Sequence, residues 1–261
     1  MSNPERIFKG LRDFDLKMIK DDSVVLFIGK RRSGKSFAVR DLCHRHRDIP
    51  LGMIFSGTEK ANPFFSDFFP NSFIFSNYDP ELIQTLLSRQ IGIKKRNARE
   101  GNKIDGRAMV ILDDMMDDAK IWTKSKPIKT IFFNGRHYSL FFIITLQYPI
   151  GMGPSLRTNV DWIFIMRENQ NAIRKKIFDN YAGCFGKQDI FDYVMENLEE
   201  YNCLVIDNNT KSARIEDQVY KFKADKRENF NFGCDLFWNL NSKIPDSDDE
   251  EEYMDYKKAR R

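Results

Sequence analysis

Residues 24–36 read VVLFIGKRRSGKS, a run of five apolar residues that leads into a loop bounded by two glycines and closed by Gly-Lys-Ser. This spacing lets backbone N–H groups point at a polyphosphate, while Lys35 adds a positive charge and Ser36 offers a hydroxyl to Mg²⁺. A helix is predicted from about residue 36 to 46, and its positive N-terminal end would face the same anion. A basic surface loop is the alternative, but the strand before the loop and the helix after it favour nucleotide binding. The predicted nucleotide-binding residues are Gly29, Lys30, Arg31, Arg32, Ser33, Gly34, Lys35 and Ser36.

Apolar runs and helical segments alternate along the rest of the chain. Strands are predicted at 24–28, 51–55, 108–112, 140–146 and 160–166, with a short one at 73–75. Helices are predicted through residue 47, over about 80–95 and over about 126–138, and the basic stretch 94–103 is predicted to be an exposed loop. Strands that are apolar throughout are typical of a parallel sheet covered on both faces. The alternation therefore predicts an α/β fold with right-handed crossovers.

Length and composition predict one large domain with short flanking segments. The chain has 261 residues, of which 41% are hydrophobic, and this is enough for a well-buried core. We assign 1–22 to a polar N-terminal extension, 23–240 to the P-loop domain, and 241–261 to an acidic tail that we expect to be disordered. The net charge of +4 does not by itself indicate nucleic-acid binding, although the acidic tail masks a more basic body.

Cysteine spacing and hydropathy indicate where the protein resides. The four cysteines are widely spaced without a Cys-x-x-Cys pair, which argues against structural zinc. Neither a signal sequence nor an apolar run of membrane-spanning length is evident. We therefore expect a soluble protein of a reducing compartment.

Asp113 and Asp114 follow the apolar run at 108–112. Ligands of open α/β sheets bind at the carboxyl ends of strands, so this pair is expected to share a crevice with the glycine-bounded loop. We assign Asp113 to Mg²⁺ and Asp114 to activation of the attacking water. An acidic turn is the alternative, because Asp is common at strand ends. The phosphate loop elsewhere in the chain favours the catalytic interpretation.

Gln147 ends the apolar run at 140–146, where an amide could bind the γ-phosphate or orient a water molecule. It could also be an ordinary strand-end residue. Phosphoryl transfer further requires a cation besides Lys35, commonly an arginine from a neighbouring subunit. Arg157 and Arg136 are the candidates, and either could instead form a surface salt bridge.

These motifs, in this order, resemble the genome-packaging ATPases of large nucleocytoplasmic DNA viruses, which belong to the FtsK/HerA superfamily of P-loop motors. The resemblance rests on residues 29–36, Thr58-Glu59-Lys60, Ile111-Leu112-Asp113-Asp114, Gly135-Arg136-His137, Gln147-Tyr148-Pro149 and Leu156-Arg157-Thr158-Asn159. It covers about residues 20 to 210. One departure is that bacterial relatives often carry Asp-Glu where this chain has Asp113-Asp114.

The resemblance implies a RecA-like P-loop NTPase fold: a mainly parallel central sheet, helices on both faces, and an additional strand between the Walker A and Walker B strands. It also implies ATP and Mg²⁺ as cofactors, a ring of identical subunits, and sequence-independent pumping of double-stranded DNA into a capsid. Capsid or membrane proteins of the virion are implied partners, without membrane insertion of this chain. The implied location is the viral assembly site in the host cytoplasm, with virion association possible.

Contact with DNA is the function that the residues alone support least. Lys94, Lys95, Arg96, Arg99 and Lys103 could line a channel and touch phosphates, or could be solvated surface charge. Two other functions stay open: a P-loop kinase for a small molecule, and a scaffold whose bound nucleotide only controls assembly. The carboxylate pair and Gln147 disfavour both.

Overall fold

A computed structural model of the chain describes residues 3–101, 104–115 and 119–241. The strands are β1 Arg12–Asp13, β2 Val24–Ile28, β3 Gly52–Ser56, β4 Ile74–Phe75, β5 Ala108–Asp113, β6 Leu140–Leu146, β7 Trp162–Met166, β8 Asn202–Asp207 and β9 Val219–Lys223. The α-helices are α1 Pro4–Gly10, α2 Lys35–Arg45, α3 Pro80–Glu100, α4 Ala119–Trp122, α5 Lys126–Asn134, α6 Pro154–Arg157, α7 Asn171–Tyr181, α8 Gln188–Asn197, α9 Ile215–Gln218 and α10 Asp235–Asn241. Short 3₁₀ helices occupy Leu16–Met18, Phe65–Asp67, Asn71–Phe73, Gly135–Tyr138 and Gly183–Phe185.

The strands form one sheet in the order β1-β9-β8-β7-β2-β6-β5-β3-β4. All neighbours pair in parallel except β8, which is antiparallel to both β7 and β9. The prediction of a mainly parallel sheet is confirmed. Strand β6 lies between β2, which precedes the glycine-bounded loop, and β5, which ends at Asp113. The predicted additional strand between the Walker A and Walker B strands is therefore present.

Both faces of the central strands are covered, which explains why their sequences are almost entirely apolar. Side chains alternate along β2, so Val25 and Phe27 pack with the α2 residues Ala38, Val39 and Leu42 on one face. Leu26 and Ile28 belong to the core on the other face, which includes buried residues of α3 and α5. This burial holds the carboxyl ends of β2, β5 and β6 in fixed relative positions.

The N-terminal segment is part of the folded domain, so its prediction as a polar extension is wrong. Strand β1 pairs in parallel with β9, and α1 packs against α8. Buried apolar residues recur every two to four positions in this segment, and their burial attaches it to the domain. They are Ile7, Leu11, Phe14, Leu16 and Ile19.

The basic stretch after residue 94 is helical through Glu100, so the prediction of an exposed loop there is wrong. Lys and Arg have high helix propensity, and Arg96 Nε bonds Glu100 at 3.2 Å one turn away. The helix ends at Gly101, whose φ of +77° suits a left-handed cap. Lys103 and the predicted tail beyond residue 241 lie outside the described residues.

The remaining boundaries move by a few residues. The predicted helix through residue 47 ends at Arg45, and the predicted strands at 51–55 and 160–166 are Gly52–Ser56 and Trp162–Met166. The short strand between residues 73 and 75 is confirmed as β4. Across the described ranges no helix combines the length and the apolar character needed to cross a bilayer.

Candidate nucleotide-binding site

The glycine-bounded loop connects the buried end of β2 to the first turn of α2. Gly34 is the N-cap of α2 with a φ of +89°, a conformation that favours glycine, and no side chain caps this helix end. The first N–H groups of α2 are therefore available to an anion. Lys35 is buried, and its Nζ donates to the Gly29 carbonyl at 3.0 Å. This hydrogen bond holds the lysine side chain against the start of the loop.

Gly29 lies where no larger residue fits. A Cβ on Gly29 would lie 2.5 Å from Met166 Cβ and 2.7 Å from Ser33 Oγ. Ser33 Oγ is itself buried and has no hydrogen-bond partner among the described residues. A buried hydroxyl without a partner carries a desolvation cost that a bound oxyanion would remove. This orphaned hydroxyl supports phosphate binding by the loop.

The other predicted loop residues face solvent. Lys30, Arg31 and Arg32 are exposed, and Arg32 has a left-handed φ of +60°. Lys30 Nζ lies 3.8 Å from the buried carboxylate of Glu168, which follows β7. Ser36 is exposed at the start of α2, where its hydroxyl can reach a ligand.

Asp113 ends β5 beside the loop, and its carboxylate is positioned by two hydroxyls. Thr145 Oγ1 donates to one oxygen at 2.8 Å, and Ser56 Oγ donates to the other at 3.2 Å. Burial raises the pKa of Asp113, although these hydrogen bonds and the nearby Lys35 ammonium oppose the shift. Burial likewise lowers the pKa of Lys35 against the attraction of the aspartates. The site therefore brings the buried ammonium group of Lys35 close to the partly buried carboxyl group of Asp113.

Asp114 and Gln147 are in direct contact. The amide of Gln147 donates to Asp114 Oδ2, and the Asp114 backbone N–H donates to Thr145 Oγ1 at 3.0 Å. Asp114 has a φ of +53°, a left-handed conformation that Asp tolerates better than most residues. Thr145 thus links both aspartates, since it donates to the side chain of one and accepts from the backbone of the other.

The structure does not bring the two candidate finger arginines to the loop. Arg136 is exposed on the 3₁₀ helix that precedes β6, at the opposite edge of the sheet from the loop. It lines a cavity of about 300 Å³ with Asp22, Asp161 and Asp207. Arg157 lies 5.4 Å from the centre of the Tyr181 ring and donates to the Met152 carbonyl at 3.3 Å. A finger acts on the site of a neighbouring subunit, so both assignments stay predictions.

Two residues beside the loop escaped the sequence analysis. Glu168 is buried and accepts the N–H groups of Asn169 and Gln170 at 2.8 and 2.9 Å, and its position after an apolar strand was a usable signal. Tyr201 is 61% exposed, and its Cδ1 lies 3.5 Å from the position that a Cβ on Gly34 would take. It precedes β8, a strand that we did not predict. An exposed aromatic ring therefore borders the phosphate loop.

Together these features define a class of protein. The glycine-bounded loop lies between a buried parallel strand and a helix, and acidic and amide groups lie at the ends of β5 and β6. This is the arrangement of a P-loop NTPase. Among the described residues no three His, Cys, Asp or Glu side chains cluster to hold a metal ion by themselves.

Comparison with known proteins places the chain in a viral family. It matches no protein-family model. An uncharacterised protein of Acanthamoeba polyphaga mimivirus is 39% identical over 238 residues, covering 89% of this chain and 83% of that protein. Uncharacterised proteins of invertebrate iridescent viruses 3 and 6 are 34% and 38% identical, and the matches cover 85% and 82% of those proteins. The chain belongs to this family of large DNA virus proteins, as the sequence motifs predicted.

Solved structures confirm the fold. The genome-packaging NTPase of Sulfolobus turreted icosahedral virus 2, in complex with AMPPCP, aligns with a TM-score of 0.55 and 16% identity, covering 79% of this chain and 100% of that one. The DNA-packaging ATPase of Sulfolobus turreted icosahedral virus aligns with a TM-score of 0.54 and 18% identity, covering 78% and 98%. The predicted α/β P-loop NTPase fold is therefore confirmed.

Proposed function

We propose that this protein is an ATP-hydrolysing motor that moves double-stranded viral DNA into a capsid during virion assembly. The observation that carries the proposal is the contact of Gln147 with Asp114, beside Asp113 and the buried Lys35. A site that only binds a nucleotide has no need of a carboxylate held for water activation. The structural neighbours described as genome-packaging NTPases, some in complex with ATP-gammaS or AMPPCP, support the same reaction class.

The site residues suit ATP with Mg²⁺. The loop N–H groups, Ser33 Oγ and Lys35 would hold the phosphates, while Ser36 and Asp113 would hold the metal ion. Hydroxyl and carboxylate oxygens are ligands that Mg²⁺ prefers, and the hydroxyls of Thr145 and Ser56 already orient Asp113. Bound Mg²⁺ would neutralise charge that develops on the phosphoryl oxygens.

Asp114 would act as the general base. Gln147 occupies Asp114 Oδ2, which leaves Oδ1 to accept a proton from the attacking water. The amide of Gln147 would also sense the γ-phosphate, because it contacts the base and directly follows β6, the strand paired with β2 before the loop. Arg157 or Arg136 of a neighbouring subunit would stabilise the transferred phosphoryl group, which requires a homo-oligomeric ring.

The proposed setting is the viral assembly site in the host cytoplasm. DNA would be held without regard to sequence, since a motor that moves along a genome cannot depend on particular bases. Capsid or membrane proteins of the virion would supply guidance, and virion association follows if the ring remains in the particle. The domain that carries these activities is taken as residues 23–240 together with the N-terminal segment that joins its sheet.

Steady-state ATPase assays with and without duplex DNA test the proposal on assembled protein. Lys35→Ala should abolish productive nucleotide binding, because it removes the buried charge. Asp114→Asn should keep ATP binding and lower turnover by about 10²- to 10⁴-fold, the usual contribution of a general base. Wild-type turnover should rise with double-stranded DNA.

Three results would contradict the proposal. Unchanged turnover in Asp114→Asn would exclude this carboxylate as the base. ATP binding without turnover, in a protein shown to be oligomeric, would instead indicate a nucleotide-dependent assembly scaffold. ATP turnover that does not change when duplex DNA is added would refute the proposed DNA translocation but not the proposed ATP hydrolysis.

A further inference from the structure

A segment that lies after β5 and ends at residue 160 has basic residues but lacks acidic ones. From residue 119 to residue 160 the chain contains no Asp or Glu, although the whole protein has 38 of them. The same segment contains Lys120, Lys124, Lys126, Lys129, Arg136 and Arg157. Its first part, residues 119–134, forms α4, α5 and the turn between them, and we call it the lysine segment.

The lysines of this segment are exposed and lie partly on one helical face. Ile128, Ile131 and Phe132 of α5 are buried against the core, whereas Lys126 and Lys129 are exposed. Residues three and four apart share a helical face, so these lysines adjoin Phe133, which is 48% exposed. Lys120 of α4 and Lys124 of the turn before α5 are also exposed. None of the four lysines forms an ion pair within the described ranges.

The helix α3 extends the cationic surface. It packs against both α5 and the 3₁₀ helix after it, and Lys94 Nζ lies 3.3 Å from the carbonyl of His137. Part of the basic stretch that sequence analysis singled out therefore adjoins the lysine segment. Arg136 does not belong to this surface, because it lines the cavity with three carboxylates at the edge of the sheet.

The lysine segment is joined to the candidate site at both ends. Buried Trp122 of α4 donates from Nε1 to the Met115 carbonyl at 2.8 Å, one residue beyond Asp114. At the other end α5 and the 3₁₀ helix lead directly into β6, which carries Thr145 and is followed by Gln147. A displacement of this segment would therefore reach both the proposed base and its amide partner.

We infer that the lysine segment is the surface that holds the phosphate backbone of duplex DNA, an inference that rests on the proposed function. The uniform positive charge suits a polyanion with closely spaced phosphates, and Lys is a point-charge donor that does not select bases. The hydrogen bond of Trp122 to Met115, the residue after Asp114, and the chain connection through β6 to Gln147 would let bound DNA alter the rate of hydrolysis.

Binding of a fluorescent duplex of about 30 base pairs and mixed sequence, measured at several salt concentrations on assembled protein with AMPPCP, tests the inference. The variant K124Q/K126Q/K129Q should reduce the slope of log K against log salt by about three. At 0.15 M salt its Kd should rise about 10²-fold, since each lost phosphate contact costs about fivefold there. The DNA concentration that half-maximally stimulates the ATPase should rise to the same extent.

Two controls separate this role from folding and from net charge. K124R/K126R/K129R keeps the charge and should bind DNA like the wild type. K17Q/K187Q/K211Q removes three equally exposed lysines elsewhere and should retain both the affinity and the salt slope.

Each other outcome overturns the inference. Wild-type affinity in K124Q/K126Q/K129Q would place the DNA surface elsewhere while leaving the proposed function intact. An equal loss in K17Q/K187Q/K211Q would show that net charge alone governs binding. Absence of duplex binding by the assembled wild type would refute the inference and the proposed translocase together, whereas an ATPase defect of Asp114→Asn would still support hydrolysis.

Discussion

Replacing Gly29 with alanine tests whether the close contact between the loop and β7 is required. The new Cβ would lie 2.5 Å from Met166 Cβ and 2.6 Å from Met166 Cγ, distances that real Cβ atoms essentially never show. Met166 Cβ cannot rotate away, because its backbone pairs with Cys203 in β8. The loop or the strand must therefore shift.

The structure sets the size of the effect. Overpacking of a tight site costs about 1–3 kcal/mol. For a domain of this size each kcal/mol lowers Tm by about 2–4 °C, so Gly29→Ala should melt about 2–12 °C below the wild type. A shifted Gly29 would also disturb the carbonyl that accepts from Lys35 Nζ, and ATP affinity should fall at least tenfold, about 1.4 kcal/mol.

Gly92→Ala is the matched control. Gly92 lies within α3, and a Cβ there would meet no atom within 4 Å. Because alanine is favoured over glycine in a helix by about 1 kcal/mol, this variant should melt about 2–4 °C above the wild type and bind ATP normally. Thermal melts followed by circular dichroism and a fluorescent-nucleotide titration measure both effects. A Gly29→Ala protein that melts and binds ATP like the wild type would refute the packing argument.

Two further predictions concern the acidic strand end and the aromatic ring beside the loop. Because burial raises the pKa of Asp113, its carboxyl group stays protonated to a higher pH in the folded protein than in the unfolded chain. The free energy of unfolding should therefore fall as the pH rises above 3.8, the ordinary pKa of this group. Measured by urea unfolding between about pH 4 and 7, the free energy of unfolding of Asp113→Asn should depend less on pH than that of the wild type. An unchanged pH dependence would exclude Asp113 as the cause of the fall in stability. Tyr201→Ala should weaken ATP binding by about 1–3 kcal/mol if the ring stacks on the base, with Tyr201→Phe retaining affinity. Calorimetry with ATP and with inorganic triphosphate decides this, since a loss common to both ligands would rule out stacking.

The central strands and the short edge strand β4 were predictable from the sequence, whereas β1, β8 and β9 were not. A strand covered on both faces is almost entirely apolar, so its signal is strong in the sequence alone. All of β2 is apolar, β5 is apolar up to Asp113, and β6 is apolar except for Thr145. Strand β1 has two exposed residues, and its pairing with β9 joins positions about 200 residues apart. Such pairing depends on the folded neighbours and leaves little local pattern.

The basic stretch after residue 94 shows a different limit. Its charged residues predict solvent exposure, and these side chains are exposed in the structure. Exposure alone, however, does not distinguish a loop from the outer face of a helix. The buried residues of α3 that set its helical period, such as Ile83, Leu86 and Leu87, precede this stretch. Helix propensity and the ion pair between Arg96 and Glu100 continue the helix without further burial.

The sequence by itself determined the phosphate loop, the carboxylates after one apolar run and the amide after another, because local spacing dictates where a strand must end and a helix must begin. Only the tertiary structure decided which of these groups meet. The order of strands places β6 between β2 and β5, so Thr145 can bind both Asp113 and Asp114 while Gln147 contacts Asp114. The same packing puts Tyr201 beside Gly34 and leaves Arg136 at the opposite edge, since strand pairing is a long-range property that no local pattern encodes.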